Sequence, residues 1–405
     1  MKKALATILA LVMAIGLCSV SWADEGVTTA EALNTAVGAG GEVKLGANIS
    51  ATITIPADKT VTLDLNGYSI TSAGQVIMNN GKLTITDNKG GGKIVSTGNI
   101  AIGVGSNSVT NIQKAIVESV EGAVITGRAT GATINIYDGT FSASDNAVIA
   151  GNGSDREGAG NTINISGGVF NGKITTPGYV ACGIYMPWKD NINVTGGTFN
   201  ITGGAGIVAR AGSVSVSNAT INTTGNATGK VGDSRVVVPC SAIVFDSEAA
   251  YPALTNTSAI SVESGTFTSE ADAISVVKPE GEGAVERVAV TGGTFSTDVT
   301  EYLAEGKILQ KNGDTYTAVT NSGITSGTYT AKPTVPDGYK VVENTDGTFT
   351  VEKVGGYYYY YPTTDTKTTD TKGSPKTFDA GIALYVGMAL TSAAGVAFVG
   401  KKRED

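Results

Sequence analysis

The chain of 405 residues contains no histidine, and this absence narrows the chemistry available to it. Histidine is the commonest general base of enzymes and a frequent metal ligand, so sites of those kinds are disfavoured. Cysteine is also scarce: Cys18 lies near the N-terminus, which leaves Cys182 and Cys240 in the body of the chain. Each lies in or beside an apolar segment, so we expect two small buried side chains and no disulfide, metal or cofactor.

Charge is sparse as well, because charged residues make up only 16% of the chain. Acidic residues outnumber basic ones by ten within 24–377, and this acidity argues against nucleic acid or anionic lipid as a partner. The low charge does not indicate disorder, because 41% of the residues are hydrophobic. With 55 glycines, the composition is typical of a secreted β-rich repeat protein.

What the chain does have is an eight-residue phrase that occurs six times. The copies are INIYDGTF at 134–141, INISGGVF at 163–170, INVTGGTF at 192–199, VSVSNATI at 214–221, ISVESGTF at 260–267 and VAVTGGTF at 288–295. In each copy two apolar residues stand two apart, which predicts a strand with one buried face. A small or Gly-rich corner follows, where the chain can bend sharply, and a large apolar residue then returns to the core.

The spacing of the copies predicts the architecture. Successive copies are 29, 29, 22, 46 and 28 residues apart, and because 46 is about twice 23 we expect a degenerate turn within 222–259. A further apolar segment follows each of five copies, at 147–151, 182–186, 206–210, 242–246 and 273–277. Three short strands per turn predict an all-β fold, a parallel β-helix solenoid. An antiparallel sandwich would need hairpin signals, and a Leu-rich horseshoe would need helical periodicity between the phrases.

The flanks of the repeat predict the remaining organisation. Residues 28–41 are predicted to form a short helix that covers the first rung, with a capping box at Thr28 and Glu31. Degenerate copies of the repeat follow at 61–70 and 82–94. The predicted segments are a signal peptide (1–23), an N-terminal cap with the first strands (24–60), the β-helix (61–297), a C-terminal cap with a small β segment (298–354), a Tyr/Thr-rich linker holding most of a pentapeptide (355–377), and a transmembrane helix with a basic tail (378–405).

The first 23 residues have the three parts of a secretory signal peptide. A basic start precedes an apolar stretch over 4–20 and a small-residue site at 21–23. We therefore predict export, with cleavage between Ala23 and Asp24. The alternatives are lipidation at Cys18, disfavoured by the large residue before it, and an uncleaved anchor, disfavoured by the short apolar run.

The C-terminus carries a second set of signals. Residues 381–400 are mostly apolar and long enough to span a membrane, and three basic residues follow at once. Before them stands the pentapeptide Ser374-Pro375-Lys376-Thr377-Phe378. This order resembles a Gram-positive cell-wall sorting signal, usually L-P-x-T-G, which Pro375 and Thr377 match and the first and last positions do not. The resemblance implies cleavage after Thr377 by a sortase-type transpeptidase and linkage to peptidoglycan, and a plain membrane anchor is the alternative.

Repeat, export signal and anchor together resemble surface proteins of Gram-positive gut bacteria with a pectate-lyase-like, right-handed parallel β-helix. The resemblance implies a surface location and leaves three functions open: a binding or adhesive surface for a glycan or host ligand, a polysaccharide lyase or glycosidase, and a purely structural rod. A lyase of this fold typically needs acidic Ca²⁺ ligands and a basic residue, and hydrolysis needs converging carboxylates. The repeated strands carry no such cluster, so we predict a non-catalytic binding surface.

The outward positions of the phrase are the first candidate site. Asn135, Asn164 and Asn193 lie between the two apolar residues of their copies and are expected to stack on one face. Amides in such a column can bond glycan hydroxyls, and they can equally stabilise the solenoid by bonding one another.

Two less regular segments are the other candidates. Residues 177–190 contain Tyr179, Tyr185 and Trp188, whose rings could stack on a sugar or cover the core. The excursion at 222–240 is a candidate because insertions in a solenoid tend to mark its binding face.

Overall fold

The computed structural model describes residues 26–355 except 128, 145, 152–159, 211, 233–236, 247–258 and 278–286. The predicted signal cleavage at Ala23 and Asp24, the linker, the pentapeptide at 374–378 and the apolar segment at 381–400 lie outside these residues. Among the residues that are described, no helix has the length and apolar character needed to cross a membrane.

Three sheets wind around one core as a right-handed parallel β-solenoid, which confirms the predicted all-β class and repeat architecture. The first sheet holds β1 (Gly41–Lys44), β4 (Thr60–Asp64), β7 (Lys82–Thr86), β10 (Val109–Ile112), β13 (Thr133–Ile136), β16 (Thr162–Ile165), β19 (Asn191–Val194), β22 (Ser213–Val216), β27 (Ile260–Val262) and β30 (Val288–Val290). The second sheet holds β2 (Ile49–Ser50), β5 (Ser69–Ser72), β8 (Lys93–Ser96), β11 (Ile116–Ser119), β14 (Thr140–Ser144), β17 (Val169–Lys173), β20 (Thr198–Thr202), β23 (Ala219–Thr224), β28 (Gly265–Ser269) and β31 (Thr294–Phe295).

The third sheet contains the apolar segments that follow the phrases. Its strands are β3 (Ile53–Ile55), β6 (Ile77–Asn79), β9 (Ile100–Val104), β12 (Gly122–Gly127), β15 (Ala147–Gly151), β18 (Tyr179–Met186), β21 (Gly204–Ala209), β26 (Ile243–Asp246) and β29 (Ile274–Val277). A hairpin of β24 (Thr228–Val231) and β25 (Val237–Pro239) joins β18 from outside the coil.

The core consists of columns of equivalent side chains that meet inside the coil. In the second sheet Phe141, Phe170 and Phe199 stack with ring centroids 5.0 and 4.5 Å apart, and Phe267 and Phe295 form a further stack at 5.0 Å. All five rings are buried. Stacked aromatic pairs contribute about 1 kcal/mol each beyond their burial, so the large residue that ends the phrase stabilises neighbouring rungs.

The predicted corner holds the left-handed backbone that the bend requires. Gly139 has a φ of 132°, and a Cβ there would lie 2.5 Å from the carbonyl oxygen of Ala115 in the rung below. The fourth copy places Asn218 in the left-handed region at φ 51° instead. Asparagine tolerates this conformation better than most residues, so the corner survives the change of sequence.

The predicted degenerate turn within 222–259 is wrong. β22 pairs directly with β27, with Val214 beside Ile260, and β23 pairs directly with β28. Between β23 and β26 the chain leaves the coil as the β24–β25 hairpin. A long spacing between two copies of the phrase can therefore result from an inserted hairpin, and it need not contain an additional rung whose phrase has degenerated.

Helix α1 (Ala30–Ala39) begins the described chain, close to the predicted limits. Its N-cap is Thr29, whose hydroxyl accepts a hydrogen bond from the Ala32 amide. The predicted capping box of Thr28 and Glu31 is therefore wrong, because the cap is one residue later and Ala32 has no side chain that could return the bond. Leu33 and Val37 belong to the solenoid core.

The parallel coil ends after β31. A 3₁₀ turn (Thr300–Tyr302) follows β31, and Val299 and Tyr302 join the main core. The second sheet then continues in antiparallel fashion through β33 (Thr315–Thr320), β32 (Lys307–Asn312), β34 (Gly327–Tyr329), β36 (Phe349–Lys353) and β35 (Tyr339–Glu343).

Candidate functional site

An amide ladder runs along the outer face of the first sheet. The Nδ2 of Asn135 donates to the Oδ1 of Asn111 at 2.8 Å, and that of Asn164 donates to Asn135 at 2.8 Å. Asn193 donates to Asn164 at 2.9 Å. The three predicted asparagines therefore lie in one column, and Asn111, which lies outside the six copies of the phrase, extends it by one rung. The sequence signal for Asn111 is TNI at 110–112, which resembles INI at 134–136, and the two segments pair in register.

A second, looser amide ladder follows the second sheet. Asn200 donates to Asn171 at 3.3 Å, and Asn222 donates to Asn200 at 3.1 Å. These residues follow the large residue of their phrases by one position, where the period of two also points outward. They lie just outside the eight-residue phrase, so the phrase itself does not predict them.

The aromatic segment does not present the rings that were predicted to stack on a ligand. Trp188 is 2% exposed and Tyr185 is 7% exposed, so neither ring has an open face, whereas Tyr179 is 36% exposed. Trp188 is packed into the loop between β18 and β19, and its indole Nε1 finds no hydrogen-bond acceptor in the described part of the chain. Of the three rings, only Tyr179 keeps the exposure that the prediction needs.

The two irregular segments that the sequence singled out separately lie against each other. Tyr179 and Val180 of β18 pair with Lys230 and Val231 of β24, and the Lys230 amide donates to the Gly178 carbonyl at 3.0 Å. The excursion at 222–240 thus adds a layer over the third sheet beside the aromatic segment.

This layer buries an apolar column on the outer face of the third sheet. Ala150, Tyr185, Val208 and Val244 follow one another in register and point away from the main core. Together with Val231, Val238 and Cys240 of the excursion they form a second hydrophobic cluster. Outward apolar side chains would otherwise face water, so burial by the hairpin explains why this column tolerates them.

Both cysteines belong to this second cluster, which confirms the prediction that they are small buried residues. Cys182 and Cys240 are free thiols and are almost fully buried, and burial raises the pKa of each thiol. A thiol held in its protonated form is a poor nucleophile, so the arrangement indicates packing rather than reactivity.

A buried carboxyl group lies where the third sheet returns to the first. Asp190 is 1% exposed, and its Oδ1 accepts hydrogen bonds from the backbone amide of Asn161 at 2.7 Å and from its Nδ2 at 3.0 Å. Burial raises the pKa of Asp190 to about 6, and the hydrogen bonds from Asn161 oppose that rise. The Asn161 side chain also joins the Ala129 carbonyl and the Ala132 amide, so the pair links three rungs.

A lyase would need a basic residue, and Arg210, which directly follows β21, is held in an ion pair. Arg210 donates from Nε to Asp246 Oδ2 at 2.9 Å, with side-chain exposures of 12% and 1%. Another charged group in the sequence, Asp155, Arg156 and Glu157, is not among the described residues. Within the described ranges no group of three or more acidic or cysteine side chains could hold a metal ion. The expectation that the protein is not an enzyme stays a prediction.

The geometry defines the class of protein as a right-handed parallel β-solenoid with polar ladders on two outer faces and a covering hairpin on the third. No protein-family model, curated protein or solved structure matches the chain.

Proposed function

We propose that the chain is an exported, wall-anchored surface protein whose solenoid presents a non-catalytic binding surface for glycans. The observation that carries the proposal is the amide ladder of Asn111, Asn135, Asn164 and Asn193 on the first sheet. An amide has two N–H donors and an oxygen with two lone pairs. Each inner amide uses one donor and one acceptor within the ladder, so the pair that remains can bond a ligand.

The spacing of the ladder supports a polymeric ligand. Adjacent parallel strands lie about 4.8 Å apart, so the amides repeat at that interval along the solenoid axis. A hydroxyl-rich chain lying along the axis would meet one donor and one acceptor per rung. The ladder positions are held by hydrogen bonds before binding, which lowers the entropy lost when a ligand orders them.

A structural rod is the second candidate, and the same ladder favours it. Amides that bond one another stabilise neighbouring rungs whether or not a ligand is present. Helix α1, proposed as a cap on the first rung, would serve this rod as well as a binding module.

Glycan binding by the full chain separates these two candidates. We expect the wild type to bind members of a glycan array and the triple variant Asn135→Ala, Asn164→Ala, Asn193→Ala to lose that binding. The matched control is Asn200→Ala with Asn222→Ala, which breaks the second ladder and is expected to bind as the wild type does. A folded wild type that binds no glycan, or a triple variant that binds undiminished, would leave the structural rod as the better account.

Surface attachment is tested separately. The proposed partners are a sortase-type transpeptidase and peptidoglycan, with Pro375 and Thr377 as the matching positions of the signal. We expect Thr377→Ala to abolish covalent linkage to the cell wall, whereas Thr371→Ala in the linker leaves it intact. Unchanged wall linkage in Thr377→Ala would contradict the sorting proposal and favour a membrane anchor.

A further inference from the structure

One aromatic ring stands on the outer face of the first sheet, beside the amide ladder. Tyr137 directly follows β13, and its amide continues the pairing of that strand by donating to the Ile112 carbonyl at 2.9 Å. Because side chains alternate along a strand, Tyr137 points to the same side as Asn135, and it is 46% exposed. Of the aromatic residues that the structure describes, only Tyr137 and Tyr179 are exposed.

The two rungs that follow carry smaller side chains where Tyr137 stands. Ser166 holds the equivalent place on the next rung, where its amide donates to the Ile136 carbonyl at 2.9 Å. Thr195 holds it on the rung after that, and its amide donates to the Ile165 carbonyl at 2.7 Å. The tyrosine ring is therefore a single bulky group at the edge of the ladder, with an apolar surface that the hydroxyls beside it lack.

The face around the ladder carries no charge. The outward side chains of β10, β13, β16, β19 and β22 are asparagine, threonine, serine and one valine. Charged side chains return on either side, with Lys82 on β7 and Glu263 after β27, and the corner beside the ring carries Lys114 and Asp138. A charged polymer would bring charges onto the strip with no opposite charges to pair them, so the strip favours a neutral ligand.

The spacing of the rungs selects the class of polymer. Parallel strands lie about 4.8 Å apart, and successive sugars of an extended β-1,4-linked chain advance by nearly the same distance, whereas α-1,4-linked chains coil. A β-1,4-linked chain lying along the ladder keeps one sugar beside each of the four asparagines. We propose that this site binds a linear, neutral β-1,4-linked polysaccharide and that Tyr137 is the platform on which one of its rings stacks.

This inference deepens the proposed function and rests on it, because the polymer must lie on the amide ladder. It adds the linkage of the ligand and one aromatic binding residue. Both can fail while the ladder still binds a glycan of another kind.

The test is a ligand-observed NMR titration of the full chain with cellotetraose, β-1,4-mannotetraose and N-acetylchitotetraose, and with maltotetraose as the α-1,4-linked comparator. We expect at least one β-1,4-linked tetramer to bind more tightly than maltotetraose. Tyr137→Ala should weaken that binding by about fivefold, as for the loss of one aromatic contact, whereas Tyr137→Phe keeps the ring and should stay within about twofold. Tyr179→Ala removes the other exposed tyrosine and, as the matched control, should bind as the wild type does.

The outcomes separate a failure of this inference from a failure of the proposed function. Undiminished binding by Tyr137→Ala, when the triple variant Asn135→Ala, Asn164→Ala, Asn193→Ala loses binding, would overturn the platform and leave the ladder as a glycan site. Weaker binding by Tyr179→Ala alone would place the ring contact on the third sheet instead.

The ligand class is tested by the same titrations. A preference for maltotetraose, or a wild type that binds none of the tetramers and yet binds other members of the glycan array, would overturn the β-1,4-linked ligand alone. A folded wild type that binds no glycan at all would remove the proposed function, and this inference with it. Because Tyr137 is exposed, the unfolding midpoint of Tyr137→Ala is expected to match that of the wild type, which confirms that weaker binding is not caused by unfolding.

Discussion

The outer faces of the first and third sheets are built on the same rungs and yet have opposite chemistry. On the first sheet the outward side chains at 111, 135, 164 and 193 are asparagines that bond one another and meet water. On the third sheet the outward column is apolar, and from Ala150 to Val244 it is buried beneath the β24–β25 hairpin. The solenoid core demands the same alternation from both sheets, so the difference between them arises entirely outside the coil.

The comparison shows where this protein can acquire a specific site. A ladder repeated on four successive rungs offers the same contact four times, which suits a polymer. The third sheet is irregular, because the hairpin covers the stretch of its outer column from Ala150 to Val244. Specific recognition of a small molecule needs such a change from one rung to the next, because a small molecule contacts only a few rungs.

The largest expected effect comes from placing a carboxylate on each of the two faces and comparing the loss of stability. Val208→Asp puts a carboxylate into the buried column beneath the hairpin, where Val208 is fully buried, and we expect a loss of about 4 kcal/mol in the free energy of unfolding. Ser215→Asp places the same group on the outer face of the first sheet, in β22, where residue 215 lies beside Asn193 of the ladder. This change should alter the free energy of unfolding by no more than about 0.5 kcal/mol. Denaturant unfolding measures both changes.

Thiol labelling distinguishes the two ways in which Val208→Asp can act. If the hairpin lifts while the coil stays folded, Cys182 and Cys240 become reactive in conditions where circular dichroism still reports native strands. If the whole coil is destabilised, labelling follows global unfolding. Equal effects of the Asp substitutions on the two faces would contradict the assignment of the third face as a buried one.

The next largest effect on the free energy of unfolding is expected for Asp190, which lies between the third sheet and the first. Because the pKa of Asp190 is about 6 in the folded chain and 3.8 in the reference state, the native state favours the neutral carboxyl group. The neutral carboxyl group stabilises the folded state fully below pH about 4. As the pH rises through 6 the carboxyl group ionises, and the free energy of unfolding falls by about 3 kcal/mol at most. Asp190→Asn removes the ionisation while keeping an oxygen that can accept from Asn161, so it should stabilise the protein at pH 7 and flatten this dependence.

Unfolding free energies at pH 4, 5, 6 and 7 check this prediction. The exposed Asp58, changed to Asn, serves as the matched control and should leave the pH profile as it is in the wild type. An Asp190→Asn protein that loses stability at pH 7 would show that the ionised carboxylate is the form the fold uses.

The repeated phrase was sufficient to predict the coil because its signals are local. Alternation of apolar residues, Gly corners and a large returning side chain determine strand, bend and core position within eight residues, and Phe141, Phe170 and Phe199 stack as that pattern requires. The same alternation predicted that Asn135, Asn164 and Asn193 share an outer column. Their hydrogen bonds follow from register alone, since equivalent positions on parallel strands are neighbours.

The cover of the third sheet could not be predicted in this way. Tyr185 does point outward, as its place in the strand implies, but the hairpin that buries it comes more than 40 residues later in the chain. The prediction of a degenerate turn within 222–259 was wrong for the same reason. An inserted hairpin and an additional rung with a degenerate phrase add similar lengths of chain. Non-local contacts of this kind leave no mark in the local alternation.

The smallest predicted effect sharpens the account of the first face. Asn164 donates to Asn135 and accepts from Asn193, so Asn164→Ala breaks two links of the ladder at once. The ladder is open to solvent and water can replace the lost partners, so we expect a loss of only about 1 kcal/mol in unfolding free energy. Asn200→Ala, which removes two links from the looser ladder of the second sheet, should cost less because those hydrogen bonds are longer at 3.3 and 3.1 Å. A loss at Asn164 as large as that of Val208→Asp would mean that the ladder is a main support of the rod, and the glycan-binding proposal would lose its strongest argument.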